Sequence, residues 1–141
     1  MSGKAFVDTN ILVYAHYRGA GERHEKAKAL VGRLWRERSG VLSTQVVQEF
    51  YVNVRRKARH PIEPEDARRL VEDYLKWEVV VNDGRTILGA LDMEQRHCLS
   101  FWDALILQAA KTAKVAVLYS EDLSSGHSYD RVRVVNPFNE E

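Results

Sequence analysis

Two acidic residues directly follow short apolar segments of the chain. Asp8 comes after Ala5-Phe6-Val7, and Asp122 comes shortly after Val115-Ala116-Val117-Leu118-Tyr119. Such segments are typical of buried parallel strands, and open parallel sheets bind their ligands at the carboxyl ends of the strands. The two carboxylates are therefore candidates for one shared ligand site. Taken singly, Asp8 could also cap a helix and Asp122 could belong to a turn.

Two further acids lie on predicted helices with no basic residue three or four positions away. Glu49 borders an apolar helical stripe, and Asp103 lies within Phe101-Trp102-Asp103-Ala104-Leu105. Taken singly, Glu49 could extend to solvent, and Asp103 could complete a capping box that begins at Ser100. The pattern therefore leaves both a structural and a functional interpretation open for each residue.

We name Asp8, Glu49, Asp103 and Asp122 the acidic quartet. Four carboxylates in one site repel one another unless they are protonated or neutralised by a cation. Ligation by oxygen alone suits Mg²⁺ or Mn²⁺ rather than zinc, and the five histidines and one cysteine show no zinc-site spacing. Since no histidine base or covalent nucleophile is evident, these residue types permit hydrolysis by a metal-activated water.

Alternating strand and helix patterns place the acidic quartet in an α/β fold. Short apolar strands separated by amphipathic helices imply a mainly parallel sheet between two helical layers. We expect Thr9 or Asn10 to cap the first helix and residues 124–128 to form a loop. The length of 141 residues predicts a single domain over 1–141. The predicted strands are 5–7, 41–42, 79–81, 115–119 and 132–134, and the predicted helices begin near 9, 22, 44, 64, 85 and 100.

The composition is that of an ordinary globular protein, with 45% hydrophobic and 29% charged residues. The single cysteine, Cys98, cannot form an internal disulfide, and no apolar run approaches the length of a membrane span. The N-terminal segment, with only Lys4 before Asp8, is a poor signal peptide. We therefore expect a cytoplasmic domain that has no contact with a membrane.

Charge is distributed unevenly along the chain. Residues 18–69 hold 13 basic and 7 acidic residues, a balance of +6, whereas residues 70–141 hold 7 and 12, a balance of −5. Arg55, Arg56, Lys57 and Arg59 form a basic run that could bind RNA phosphates or stabilise a helix C-terminus. A basic segment beside an acidic one is compatible with a polyanion that lies across an acidic, metal-binding site. It is equally compatible with a chance distribution of surface charge along a short chain. The three tryptophans are expected in the core or at an interface.

Four segments of the sequence resemble the PIN-domain nucleases, and the chain is similar in particular to VapC-type toxins of bacterial type II toxin–antitoxin pairs. The resemblance runs from about residue 5 to Phe138, with the acids in the order and spacing of that family. The four segments are Phe6–Tyr14, Val46–Phe50, Ser100–Ile106 and Leu118–Leu123.

The resemblance implies that the acidic quartet binds Mg²⁺ or Mn²⁺, and that Asn10 and Ser120 are small polar residues supporting the site. It implies a three-layer α/β/α sandwich, endoribonuclease activity, a homodimer and inhibition by a cognate antitoxin. The expected products carry a 5′-phosphate and a 3′-hydroxyl. Glu121 precedes the fourth acid where the family varies, and its role is left open.

Other functions fit the residues less well. Phosphatases of the haloacid type require Asp-x-Asp where this chain has Asp8-Thr9-Asn10, and phosphorelay receivers require paired acids after the first strand. A PIN nuclease that processes RNA outside a toxin–antitoxin pair stays open. A non-catalytic PIN binding module is disfavoured, because an acidic quartet without a metal costs stability.

Overall fold

Six strands and six α-helices make up most of the computed structural model, which describes residues 3–57 and 61–139. None of the described helices is long and apolar enough to cross a membrane. The elements are β1 (Ala5–Val7), α1 (Thr9–Ala15), α2 (Glu22–Glu37), β2 (Gly40–Ser43), α3 (Thr44–Val52), α4 (Pro64–Tyr74), β3 (Glu78–Val80), α5 (Gly84–His97), α6 (Phe101–Thr112), β4 (Val117–Tyr119), β5 (Ser128–Tyr129) and β6 (Val132–Val135).

The strands form one sheet in the order β3-β2-β1-β4-β6-β5, and all neighbours are parallel except β5 and β6. The chain steps outward from β1 to β3 and then returns across the sheet to β4. Because parallel crossovers are right-handed, α1–α4 cover one face and α5 and α6 cover the other. The predicted three-layer α/β/α sandwich with a mainly parallel sheet is thereby confirmed.

The centre of the sheet explains why its strands lack alternating polarity. Phe6, Val7 and Leu118 have no solvent exposure, since helices cover both faces there. β1 and β4 are neighbours, with Val7 opposite Tyr119, although they come from opposite ends of the chain. Strand order reverses between them, so the crevice at their carboxyl ends is the position where open α/β sheets place a ligand.

Side-chain caps begin the helices that carry the acidic quartet. Ser43 accepts a hydrogen bond from the backbone N–H of Val46 at the start of α3. The expected cap of α1 at Thr9 or Asn10 is wrong: Asp8 occupies that position and accepts from the backbone N–H of Thr9 at 2.7 Å. The first acid therefore ends the β1 segment and begins α1 at once.

Two features depart from the predicted pattern. Residues Asn53–Lys57 continue α3 as a π-helix. Part of the predicted loop forms β5, whose two residues pair antiparallel with β6. Asp130, between β5 and β6, forms ion pairs with Arg96 of α5 and Lys111 of α6. These cations lower the pKa of Asp130 to about 2. Two residues are too few to show a strand period in a sequence.

Candidate functional site

Asp8 is buried at the carboxyl end of β1 and is 7% exposed. Its Oδ1 accepts from the backbone N–H of Thr9, and its Oδ2 accepts from Ser120 Oγ at 2.9 Å. Burial raises the pKa of Asp8 to about 6, and the charges of Asp122 and Glu49 add to the rise, whereas the hydrogen bonds from Ser120 and Thr9 oppose it. The carboxylate is therefore fixed in direction but is costly to ionise.

Ser120 links the first acid to the fourth. It is completely buried after β4, where its Oγ donates to Asp8 and accepts from the backbone N–H groups of Asp122 and Leu123 at 3.2 and 3.3 Å. The pairing of β4 with β1 places the serine there, and the Asp8 N–H also donates to the Tyr119 carbonyl at 3.0 Å. One hydroxyl thus sets the turn that carries Asp122 against the buried carboxylate.

Glu49 reaches the same region from α3. Its Oε1 accepts from Thr9 Oγ1 at 2.7 Å, and its Oε2 accepts from Gln45 Nε2 at 3.2 Å. Because both carboxylate oxygens have donors from the protein, the side chain is held in one orientation and does not simply extend into solvent.

Asp122 and Asp103 complete the acidic side of the crevice. Partial burial raises the pKa of Asp122, and the charges of Asp103, Glu121 and Glu49 raise it further. Asn10 Nδ2 donates to Asp122 Oδ2 at 3.0 Å. Asp103 lies in the first turn of α6, where its backbone N–H donates to Ser100 Oγ at 3.1 Å. The capping interaction uses only the backbone of Asp103, so its carboxylate stays available.

The described residues bring the acidic quartet into electrostatic contact without bringing it to coordination distance. Over 3–57 and 61–139, no three acidic, histidine or cysteine side chains lie close enough together to hold a metal ion. The donor set nevertheless fits a hard divalent cation, because Asp8, Glu49 and Asp122 receive hydrogen bonds from neutral groups only. Side-chain rotations would be needed to gather the oxygens around one ion.

Glu121 points to a different set of partners. Tyr14 donates to its Oε1 at 3.1 Å, and Arg23 Nη2 lies 2.6 Å from its Oε2. The guanidinium of Arg23 also lies 5.4 Å from the centre of the Phe138 ring. Glu121 therefore ties the turn after β4 to α1, α2 and the C-terminal segment, and contributes to the acidic quartet only through its charge.

The basic run is separate from these contacts in the part that the structure describes. Arg55 Nη1 donates to the Ile62 carbonyl at 3.1 Å, which joins the π-helix to the segment before α4. Arg56 is exposed. The side chain of Lys57 and the whole of Arg59 lie outside the described residues.

Thr9 and Gln45, the two residues that orient Glu49, were not predicted from the sequence as parts of the site. Thr9 adjoins Asp8, and Gln45 precedes Glu49 by four residues, a helical spacing at which side chains meet. Gln45 is buried, and its Oε1 has no hydrogen-bond donor within the described ranges. The signal available in the sequence was an amide four residues before an acid that has no basic neighbour on its helix.

Comparison with known proteins adds the family relationship. The family model for the PIN domain matches residues 5–125 of the chain. No curated protein matches it.

Several solved structures share the fold at low sequence identity. A toxin–antitoxin complex from Klebsiella pneumoniae matches with a TM-score of 0.70 and 18% identity, covering 97% of this chain and 100% of that one. VapC20 of Mycobacterium tuberculosis, described as a sarcin–ricin loop cleaving toxin, matches with a TM-score of 0.63 and 22% identity over 84% and 90% of the two chains. VapBC2 of Rickettsia felis, bound to a promoter DNA fragment, gives 0.62 and 15% over 92% and 96%.

The raised pKa of Asp8 predicts a pH dependence of stability in chelator. The folded state binds more protons than the unfolded state between the ordinary pKa of 3.8 and about 6, so the free energy of unfolding should fall as pH rises through that window. The loss should be on the order of 3 kcal/mol and complete above that window. Asp8→Asn should remove it and leave the variant more stable than wild type near neutral pH.

Urea unfolding from pH 4 to pH 7.5 measures this effect. Asp92→Asn, which neutralises an exposed acid of α5, is the matched control and should keep the wild-type slope. An Asp8→Asn protein that is less stable than wild type at pH 7.5 and follows the same slope would contradict the prediction.

Proposed function

The chain belongs to the PIN-domain family, and from that premise we propose that it is a metal-dependent endoribonuclease and the toxin of a type II toxin–antitoxin pair. The observation that carries the nuclease proposal is the buried Asp8 beside Ser120 at the carboxyl ends of β1 and β4, with Glu49 and Asp122 close enough to raise its pKa. Excess negative charge held by neutral donors is what a site for a divalent cation requires.

The acidic quartet would hold Mg²⁺ or Mn²⁺, with Asp8 as the central ligand and Asp103 and Asp122 alongside it. A bound ion of this kind lowers the pKa of a water and offsets charge on a phosphodiester. Ser120 fixes the direction of the Asp8 carboxylate, and Asn10 does the same for Asp122. Both residues act as positioning groups.

Glu49 would ligate the ion or orient the attacking water. Thr9 and Gln45 donate to its two oxygens and so restrain the carboxylate beside the crevice, before the side-chain rotations that a bound ion would require. Attack on the phosphorus would leave a 5′-phosphate and a 3′-hydroxyl. The basic run, Arg55, Arg56, Lys57 and Arg59, would bind RNA phosphates without reading sequence.

The partners are inferred from the neighbours and from exposed apolar surface. The Klebsiella complex supports an antitoxin partner, and the name of VapC20 supports RNA as the substrate. A homodimer is supported by α5 and α6, on which Leu88 is 64% exposed and Trp102 is 62% exposed. We place this activity in the cytoplasm, where RNA is available.

Cleavage of a mixed RNA pool tests the chemistry. Wild type should cut end-labelled RNA in Mg²⁺ or Mn²⁺ and stop in chelator. Asp8→Asn and Asp103→Asn should each lose about a hundredfold or more in rate while remaining folded, because each removes a proposed metal ligand. Asp92→Asn removes one negative charge from an exposed position on α5 that is not part of the acidic quartet, and it should cleave normally. Full activity in chelator, or in Asp8→Asn, would exclude the proposed mechanism.

Expression in bacteria tests the toxin role separately. Induction of wild type should arrest growth, whereas Asp8→Asn should not, and co-expression of the small gene adjacent to this one should restore growth. An active nuclease that is harmless in its own host and has no such neighbouring gene would instead be a PIN enzyme of RNA processing.

A further inference from the structure

A cavity separate from the crevice opens at the amino ends of β2 and β3, on the side of the sheet opposite to the acidic quartet. It has a volume of about 550 Å³ and lies between the end of α2, the start of β2 and the link from α4 to β3. The four residues of β2 separate this edge from the carboxyl ends of the strands by roughly 13 Å. Its lining includes two tryptophans, three cationic residues and a glycine: Trp35, Trp77, Arg36, Arg38, Lys76 and Gly40. We name it the basal cavity.

Two indole rings form the aromatic part of the basal cavity. Trp35 and Trp77 meet edge to face with their ring centres 5.7 Å apart. The Trp77 ring lies so close to Gly40 that a Cβ there would come within 2.1 Å of it, so a side chain at this position would displace the ring. Trp35 is 42% exposed, so of the two expected locations it does not occupy the core.

The two arginines of the basal cavity, Arg36 and Arg38, are not paired with the acids around them, whereas Lys76 is. Glu37 pairs with Arg33 at 3.3 Å, Glu78 with Lys4 at 2.9 Å and Asp73 with Lys76 at 3.6 Å. Each of these three acids is therefore paired with a cation other than Arg36 or Arg38. Arg36 and Arg38 have no acidic partner within the part of the chain that the structure describes.

Arg38 occupies a backbone conformation that L-residues rarely adopt. It ends α2 in the left-handed region, with φ 55° and ψ 40°, where helices usually have glycine. An arginine at this position is less favourable for the fold than glycine. The helix dipole accounts for cations at the end of α2. It does not account for a cation placed at a strained residue beside two tryptophans in a cavity.

We propose that the basal cavity binds a nucleotide unit, with its phosphate on Arg36 and Arg38 and its base against Trp35 and Trp77. A guanidinium group can donate two parallel hydrogen bonds to the oxygens of one phosphate. Indole rings can stack on any nucleobase. The volume is that of a small-molecule site. The nucleotide comes either from free mononucleotide or from single-stranded RNA. The RNA source rests on the proposed function and would make the basal cavity a second contact for the substrate, remote from the acidic quartet.

Fluorescence titration tests the proposal in the Asp8→Asn, Trp102→Phe protein, which is not expected to cleave RNA and keeps only the two cavity tryptophans. The probes are AMP, inorganic phosphate and a single-stranded uridine octamer. AMP and the octamer should quench the emission. Arg36→Ala with Arg38→Ala should weaken both affinities by about tenfold or more, because two guanidinium contacts are lost.

A matched control is the pair Arg68→Ala and Arg69→Ala on α4, which removes the same charge from arginines that have acidic partners. It should bind AMP as the parent does. Arg38→Gly should weaken AMP binding without lowering the melting temperature, because glycine accepts the left-handed conformation. This variant keeps the test valid if the double variant fails to fold.

The outcomes separate the sources of the nucleotide. Octamer binding tighter than AMP assigns the cavity to RNA, and AMP binding as tight or tighter assigns it to free nucleotide. The proposal is overturned if AMP does not quench, if inorganic phosphate binds as tightly as AMP, or if both cavity variants bind like the control. Because binding is measured without cleavage, failure here is distinct from failure of the nuclease proposal.

Discussion

The parallel pairing of β1 with β4 is the constraint on which the site depends. It places Val7 opposite Tyr119 and joins residues from the two ends of the chain, so that Asp8 meets Ser120 directly beyond the last paired residues. The same hydroxyl accepts from the turn that carries Asp122. A shift of this pairing by one residue would turn Asp8 away from the serine, because successive side chains of a strand point to opposite faces.

The crevice keeps its negative charge at a cost to the fold. The donors to Asp8, Glu49 and Asp122 are hydroxyl, amide and backbone N–H groups, and Arg23 is engaged by Glu121 instead. Neutral donors orient a carboxylate without removing its charge, and burial makes that charge expensive. Natural sequences tolerate such a cost chiefly at functional sites, and a divalent cation would offset it.

Sequence predicted the fold well and the contacts of the site less well. The apolar runs at β1 and β4 and the capping serine of α6 have local signatures, so these elements were predicted from residues alone. The shared role of the four acids stays a prediction. The hydrogen bond from Thr9 to Glu49 joins residues 40 positions apart, and the hydrogen bond from Arg23 to Glu121 joins residues 98 positions apart. Such contacts depend on how α1, α2 and α3 pack, which no local pattern encodes. The basal cavity was missed for the same reason.

Calorimetry of Mn²⁺ binding near pH 6, in two buffers of different ionisation enthalpy, tests most directly whether the acidic quartet is a cation site. Asp8 has a pKa of about 6 and is about half protonated there, so its ligation should release roughly half a proton per site, and Asp122, whose pKa is also raised, should add to the release. Release should fade above pH 7, and Asp8→Asn should lose most of the affinity. Heat that is the same in both buffers, or equal Mn²⁺ affinity in Asp8→Asn and wild type, would contradict a metal site centred on Asp8.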